Sequence, residues 1–226
     1  MILTATISNR LPPLWARSFN MKTFFLSLLL LFTATIAGAQ QDFTAQPLSD
    51  SIFAVMQGKS YPEGCPMKRA DLRYLQVLHY DAAGRVQRGE LVCNKAIAAD
   101  LLDIFRKLYE ARYPIERMRL IDNYDANDER SMAANNTSCF CYRVVAGSQK
   151  LSKHAQGLAI DINPLYNPCV RGRIIQPRSG KRWANRARAF TYKIERGDLL
   201  WRLFTEHGFT WGGSWRSLKD WQHFER

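Results

Sequence analysis

Two short segments limit what this chain can fold into. Ser152-Lys-His154-Ala-Gln-Gly157-Leu-Ala159-Ile-Asp161 and, near the C-terminus, Asp220-Trp-Gln-His223 hold two of the four histidines in 226 residues. Two imidazoles and one carboxylate make a three-ligand set. Such a set leaves one position open, as a catalytic zinc requires, whereas a fourth protein ligand would close the site. If His154, Asp161 and His223 serve one ion, the fold must carry a segment near residue 160 against the C-terminus. Asp220, three residues before His223, is then a spare carboxylate placed to accept a proton from water. The structural alternatives are a surface His154, a turn or capping role for Asp161, and a surface charge at Asp220 beside Lys219.

The local pattern says how the ligands are presented. His154 and Asp161 are seven apart, which would return them to one face of a helix. Gly157 and the run Leu-Ala-Ile argue instead for a loop entering a strand. Strand alternation then aims Asp161 at the cleft that His154 faces, with Ile160 and Ile162 turned the other way. His79 and His207, the other two histidines, read as structural: one within a strand, the other at a helix end where a partly positive ring suits the dipole.

The start of the chain does not read as fold. Met21-Lys-Thr-Phe-Phe-Leu-Ser-Leu-Leu-Leu-Leu-Phe followed by Ala37-Gly-Ala39 has the basic start, apolar run and small-residue cleavage site of a signal peptide over residues 21–39. The run is too short for a spanning helix, and no Cys follows it to take a lipid. Residues 1–20 read as a mis-assigned start or an extended leading region. The expected organisation continues with a lead-in at 40–70 and one domain at 71–226, and no membrane span remains after cleavage. The net charge is +12, and cleavage after Ala39 removes three bases, Arg10, Arg17 and Lys22, and no acid, so the exported form stays basic. That suits an anionic partner such as a cell wall. Nucleic acid is not expected, because no helix-turn-helix, zinc-finger or RNA-binding aromatic signature is present and export argues against it. The five cysteines leave at least one thiol outside any internal pairing. Cys139 and Cys141 are two apart on an expected strand and so would not bond each other.

Leu72–Tyr80 and Val86–Cys93 predict a hairpin turned by Asp81-Ala-Ala-Gly84. Asn94 caps a helix whose stripe is Ile97, Leu101, Ile104 and Leu108, with Pro114 beyond it. A short strand is expected at Met118–Ile121, and further strands at Phe140–Val145, Leu158–Ile162 and Phe209–Trp211, the last turned by Gly212-Gly213. Asp198 caps a short helix through Glu206, stopped by Gly208. The polar stretch Asp122–Thr137 reads as a functional or mobile loop, and Asn163–Ala187 as a basic surface loop near the site mouth. Mixed elements without βαβ regularity predict an α+β fold with a largely antiparallel sheet and flanking helices.

Taken in order, Ser-x-His-x-x-Gly-x-Ala-x-Asp, Trp-Gly-Gly-x-Trp and Asp-x-x-His-Phe resemble the zinc peptidases of bacterial cell walls. That family includes VanY-like D-Ala-D-Ala carboxypeptidases and L-alanyl-D-glutamate endopeptidases. The motifs span residues 135–226, with looser similarity back to Asp71. The resemblance implies a Hedgehog/DD-peptidase-like fold, one Zn²⁺ per chain on His154, Asp161 and His223, and Asp220 as the catalytic carboxylate. The carboxypeptidase branch has Glu at that position, so Asp tilts the reading towards the endopeptidase type. Arg143, ending Ser138-Cys-Phe-Cys-Tyr-Arg, stands where the family has a Ser-Gly-Tyr-Arg-like segment whose Arg stabilises charge at the scissile carbonyl. The match there is broken by two extra residues and a Cys in place of Gly. Trp211 and Trp215 read as a substrate wall or as core, and Ser152 as a polar contact near the metal or a turn cap. The implied partner is the peptidoglycan stem peptide, met in the periplasm or cell envelope. The competing expectation is a non-catalytic, zinc-containing wall-binding domain on the same fold, for which Asp220 would have no use.

Overall fold

Strand-forming apolar and aromatic residues and an aspartate-led turn produce the hairpin of β2 (Leu72–Tyr80) and β3 (Val86–Asn94). Asp81 Oδ1 accepts from the backbone N–H of Ala83 and Arg85 at 2.9 and 3.0 Å, and Gly84 takes φ +73°. The turn thus satisfies its own polar groups locally. The computed structural model describes residues 42–145 and 148–226; the expected leader and cleavage site lie outside them. The lead-in is part of this fold. Its β1 (Thr44–Pro47) pairs antiparallel with β2, and Met56, at the end of α1 (Asp50–Met56), packs with Leu72, Val92 and Phe140.

Asn94 caps α2 (Lys95–Glu110), its side chain accepting from Ala96 N at 3.0 Å. Ile97, Leu101, Ile104 and Leu108 form the expected stripe, widened by Ala98 and Phe105, and are buried. This face packs on the hairpin and on α4 (Leu199–Glu206), which Asp198 caps through Trp201 N at 2.6 Å. His207 ties the two helices, its ring reaching Leu203 O at 2.7 Å and Asp103 Oδ2 at 2.9 Å. His79 is buried with Nδ1 2.6 Å from Ile115 O. Both histidines therefore stand outside the cleft described below.

The C-terminal half builds two small antiparallel sheets. One has the order β6 (Ala159–Asp161), β11 (His223–Glu225), β9 (Thr210–Trp211). The other has the order β10 (Lys219–Asp220), β7 (Cys169–Arg171), β8 (Ile174–Gln176). Ile160, Ile162, Phe204, Phe209, Trp211 and Phe224 join the α2 face in one core. Several antiparallel sheets with few helices agree with the α+β class. One pair runs parallel, β4 (Arg117–Met118) with β5 (Asn136–Thr137). No helix among the described residues is long and apolar enough to cross a membrane.

Four local expectations need correction. Phe140–Val145 is not a strand. Phe140, Cys141 and Tyr142 donate to Val92 O, His154 O and Ser60 O, three different partners, so no ladder forms. The shared-face argument for Cys139 and Cys141 lapses with it, although all five thiols are free. The polar stretch from Asp122 is ordered: it contains a 3₁₀ turn at Ile121–Tyr124 and α3 (Asp128–Ala133), capped by Asn127. Fully buried Asn136 secures it, bonding both backbone groups of Arg119 and the Ser131 hydroxyl. The strand expected at Met118–Ile121 shrinks to β4, because Ile121 already belongs to that turn. Finally, Asn163–Ala187 is not a plain loop but holds the β7–β8 hairpin, against which β10 pairs.

A candidate metal centre

The C-terminal sheet makes Asp161 and His223 a cross-strand pair, directly opposite one another on β6 and β11. Side chains so paired share a face. Ile160 and Phe224, one step away on each strand, are wholly buried in the core, so Asp161 and His223 must face the cleft. His154 comes from a 3₁₀ turn, Lys153–Gln156. Ser152 caps that turn, its Oγ accepting from His154 N at 3.2 Å. Gly157 closes it with φ +66°, and a Cβ there would stand 2.6 Å from Asn94 N. Only glycine meets both the left-handed backbone and the close approach. The turn is pinned to the head of α2 by Asn94 N to Gly157 O at 2.9 Å and Asn94 Nδ2 to Gln156 O at 3.0 Å.

The three groups converge. His154 Nε2 lies 3.2 Å from His223 Nδ1 and 3.3 Å from Asp161 Oδ2, and His223 Nδ1 lies 3.0 Å from Asp161 Oδ1. The other nitrogen of each ring already has an acceptor: Cys139 O at 2.6 Å from His154 Nδ1, and Glu225 Oε2 at 3.0 Å from His223 Nε2. When each neutral ring donates there, His154 Nε2 and His223 Nδ1 are left as lone pairs beside a carboxylate. Three acceptors aimed at one point call for a positive charge, and the residues present therefore fit a cation. Ligand atoms of this set lie within 4.8 Å of one another. A proton on His223 answers the same demand for positive charge: burial disfavours charge there, but hydrogen bonds to Asp161 and Glu225 outweigh that and push the ring up to about 10, so a proton on Nδ1 and a cation compete for one place. Burial likewise opposes charge on Asp161, yet the two imidazoles hold it far below the usual carboxylate range. Histidine and carboxylate together suit zinc among the common divalent ions.

The centre opens into a cleft of about 380 Å³ lined by Asp220, Arg143, Ser152 and Trp215, among others. Burial raises Asp220 to about 6, with the Asp161 charge adding to it and His223 opposing. Its Oδ1 is sealed and has no hydrogen-bond partner. A carboxyl group with that pKa exchanges protons readily near neutral pH. Gly212 makes room for it: a Cβ there would lie 2.7 Å from Asp220 O and 2.8 Å from Asp220 Cβ. Gly213 is needed for space too, since its Cβ would sit 2.4 Å from the Trp211 ring.

Arg143 reaches the cleft and is ion-paired with Asp128 at 2.6 Å, with Nη1 3.4 Å from Ser152 Oγ. Ser152 thus both caps the turn and touches the guanidinium. Trp215 lines the cleft with its ring 5.3 Å from that of His223. Trp211 is instead in the core, its Nε1 donating to Trp221 O at 3.0 Å. Glu225, beside His223, and Asp128, paired with Arg143, are charged cleft residues that the sequence reading did not name, though a signal existed for one of them. Glu225 was legible, because it lies two residues beyond His223 on the same strand face. Asp128 was not, since nothing in a polar stretch fifteen positions away points to Arg143.

Residues 146–226 match the family model described as D-alanyl-D-alanine carboxypeptidase. The matched region carries His154, Asp161, Asp220 and His223 and supports a peptidase, hence a hydrolase. No curated protein and no solved structure matches the chain.

Proposed function

We propose that this chain is an exported zinc peptidase that hydrolyses peptide bonds in peptidoglycan stems, at L-Ala-D-Glu or D-Ala-D-Ala, on a Hedgehog/DD-peptidase-like fold. The observation that carries the reading is the convergence of three lone-pair donors beside Asp220 in an open cleft. His154, Asp161 and His223 would hold one Zn²⁺. When bound, such an ion acidifies water and polarises a carbonyl. Asp220 accepts the proton of the attacking water and returns it to the leaving amine. Arg143 offers N–H donors to the oxygen on which charge develops. Trp215 supplies an apolar wall beside His223. The family match supports a wall-peptide substrate, and the leader at 21–39 with its basic chain supports export to an anionic envelope.

Mass spectrometry of digested muropeptides tests the substrate. Loss of a terminal D-Ala marks a carboxypeptidase, and a cut beside D-Glu an endopeptidase. Cleavage of ordinary L-peptides alone would end the wall assignment. N-terminal sequencing of envelope protein tests export: a chain that retains the apolar segment is not processed after Ala39.

A further inference from the structure

The two imidazoles of the centre point at the same place but are held there by different means. His154 Nδ1 donates to a backbone carbonyl, Cys139 O. His223 Nε2 faces a side chain, the Glu225 carboxylate, at 3.0 Å. Glu225 is well fixed for such a task. Its backbone lies in the central strand of its sheet, paired with Ala159 of β6 on one side and Thr210 of β9 on the other. Thr210 Oγ1 also donates to its carbonyl at 3.1 Å. The side chain is half-buried at the cleft wall.

We propose that Glu225 is the positioning residue of this metal centre: it keeps the proton of His223 on Nε2, leaves Nδ1 as the ligating atom, and thereby sets how tightly the cation is held. The inference rests on the metal reading of the site and adds to it a residue outside the ligand set. A neutral imidazole has two tautomers of similar energy, and the wrong one would point a hydrogen at the ion. An acceptor behind the ring selects between them. A carboxylate acceptor also makes the opposite nitrogen a stronger donor to a metal than a carbonyl does. The two histidines are consequently unequal. The orientation of His154 is secured by the main chain, whereas that of His223 depends on one replaceable side chain. Glu225 need not touch substrate to matter.

The test compares wild type with Glu225→Ala and Glu225→Gln. Zinc affinity is measured by competition with a chromophoric chelator. Glu225→Ala should bind about 10–100-fold more weakly, the range typical for such outer partners. Glu225→Gln keeps the shape and an uncharged acceptor, guards against a folding artefact, and should fall between the two. In ¹¹³Cd-loaded, ¹⁵N-histidine-labelled wild type, the metal should couple to Nδ1 of His223 and Nε2 of His154. Equal affinity in wild type and Glu225→Ala, or coupling to Nε2 of His223, overturns the proposal while leaving the metal centre standing. A wild type that takes up no metal overturns both.

Discussion

At the scale of single residues, the proposed function separates holding an ion from using it. His154 turns Nε2 towards the centre, because its other nitrogen is committed to Cys139 O. His154→Ala should therefore lose zinc outright, as elemental analysis of purified protein will register; full occupancy would remove His154 from the ligand set. Asp220 has the opposite profile. It lies outside the converging set, and its elevated pKa comes first from burial. Asp220→Asn should keep zinc and fold and lose about 10²–10⁴-fold in turnover. A variant with near wild-type turnover would assign the proton transfer to another residue, whereas a zinc-loaded wild type with no turnover would favour a binding role for the cleft.

At the scale of elements, the site depends on places where main chains nearly touch. Gly212 passes against Asp220, with 3.3 Å left between an added Cβ and His223 Cβ. Gly212→Ala should push β10 and β11 apart, costing about 1–3 kcal/mol by overpacking, and lower activity beyond that loss. Chemical denaturation and turnover measured on one preparation check both; a neutral variant would show that the strands can yield. The elements themselves were unevenly legible. The β2–β3 hairpin, α2 and α4 were readable because period, cap and turn residues agreed. The segment from Phe140 was not, because its backbone partners are Val92, His154 and Ser60, fixed only by tertiary packing. α3 was hidden by polarity: its buried support is Asn136, whose amide satisfies another segment's backbone instead of filling an apolar stripe. Of the site, the grouping of His154, Asp161 and His223 beside Asp220 was legible from their motifs taken together with the family resemblance. The commitment of Trp211 to the core was not, since an aromatic beside two glycines suits either place.

At the scale of the whole molecule, one buried group far from the cleft ties stability to acidity. Burial pushes His79 below its ordinary value of 6.5. The folded protein keeps the ring neutral, while the unfolded chain takes up a proton once the pH falls below 6.5. The unfolded state then binds more protons, so stability present above that pH is lost as the pH falls towards the lowered folded value. Melting temperatures between pH 7.5 and 5 should drop less steeply for His79→Gln, whose amide can still donate to Ile115 O, than for wild type. Parallel slopes would show that other groups govern the acid limb.

The direct opposition of Asp161 and His223 makes the site hostage to register. Sliding β11 past β6 by one residue would exchange faces, sending His223 inward and Phe224 into water. The aromatic cluster of Phe204, Trp211 and Phe224 opposes that slip. Those rings act as a keyway, admitting the last strand in one alignment only. Phe224→Leu does not alter the lining of the cleft, yet it loosens the keyway, and weaker zinc binding by chelator competition is the expected signature. In this chain the greasiest residues calibrate the most polar ones.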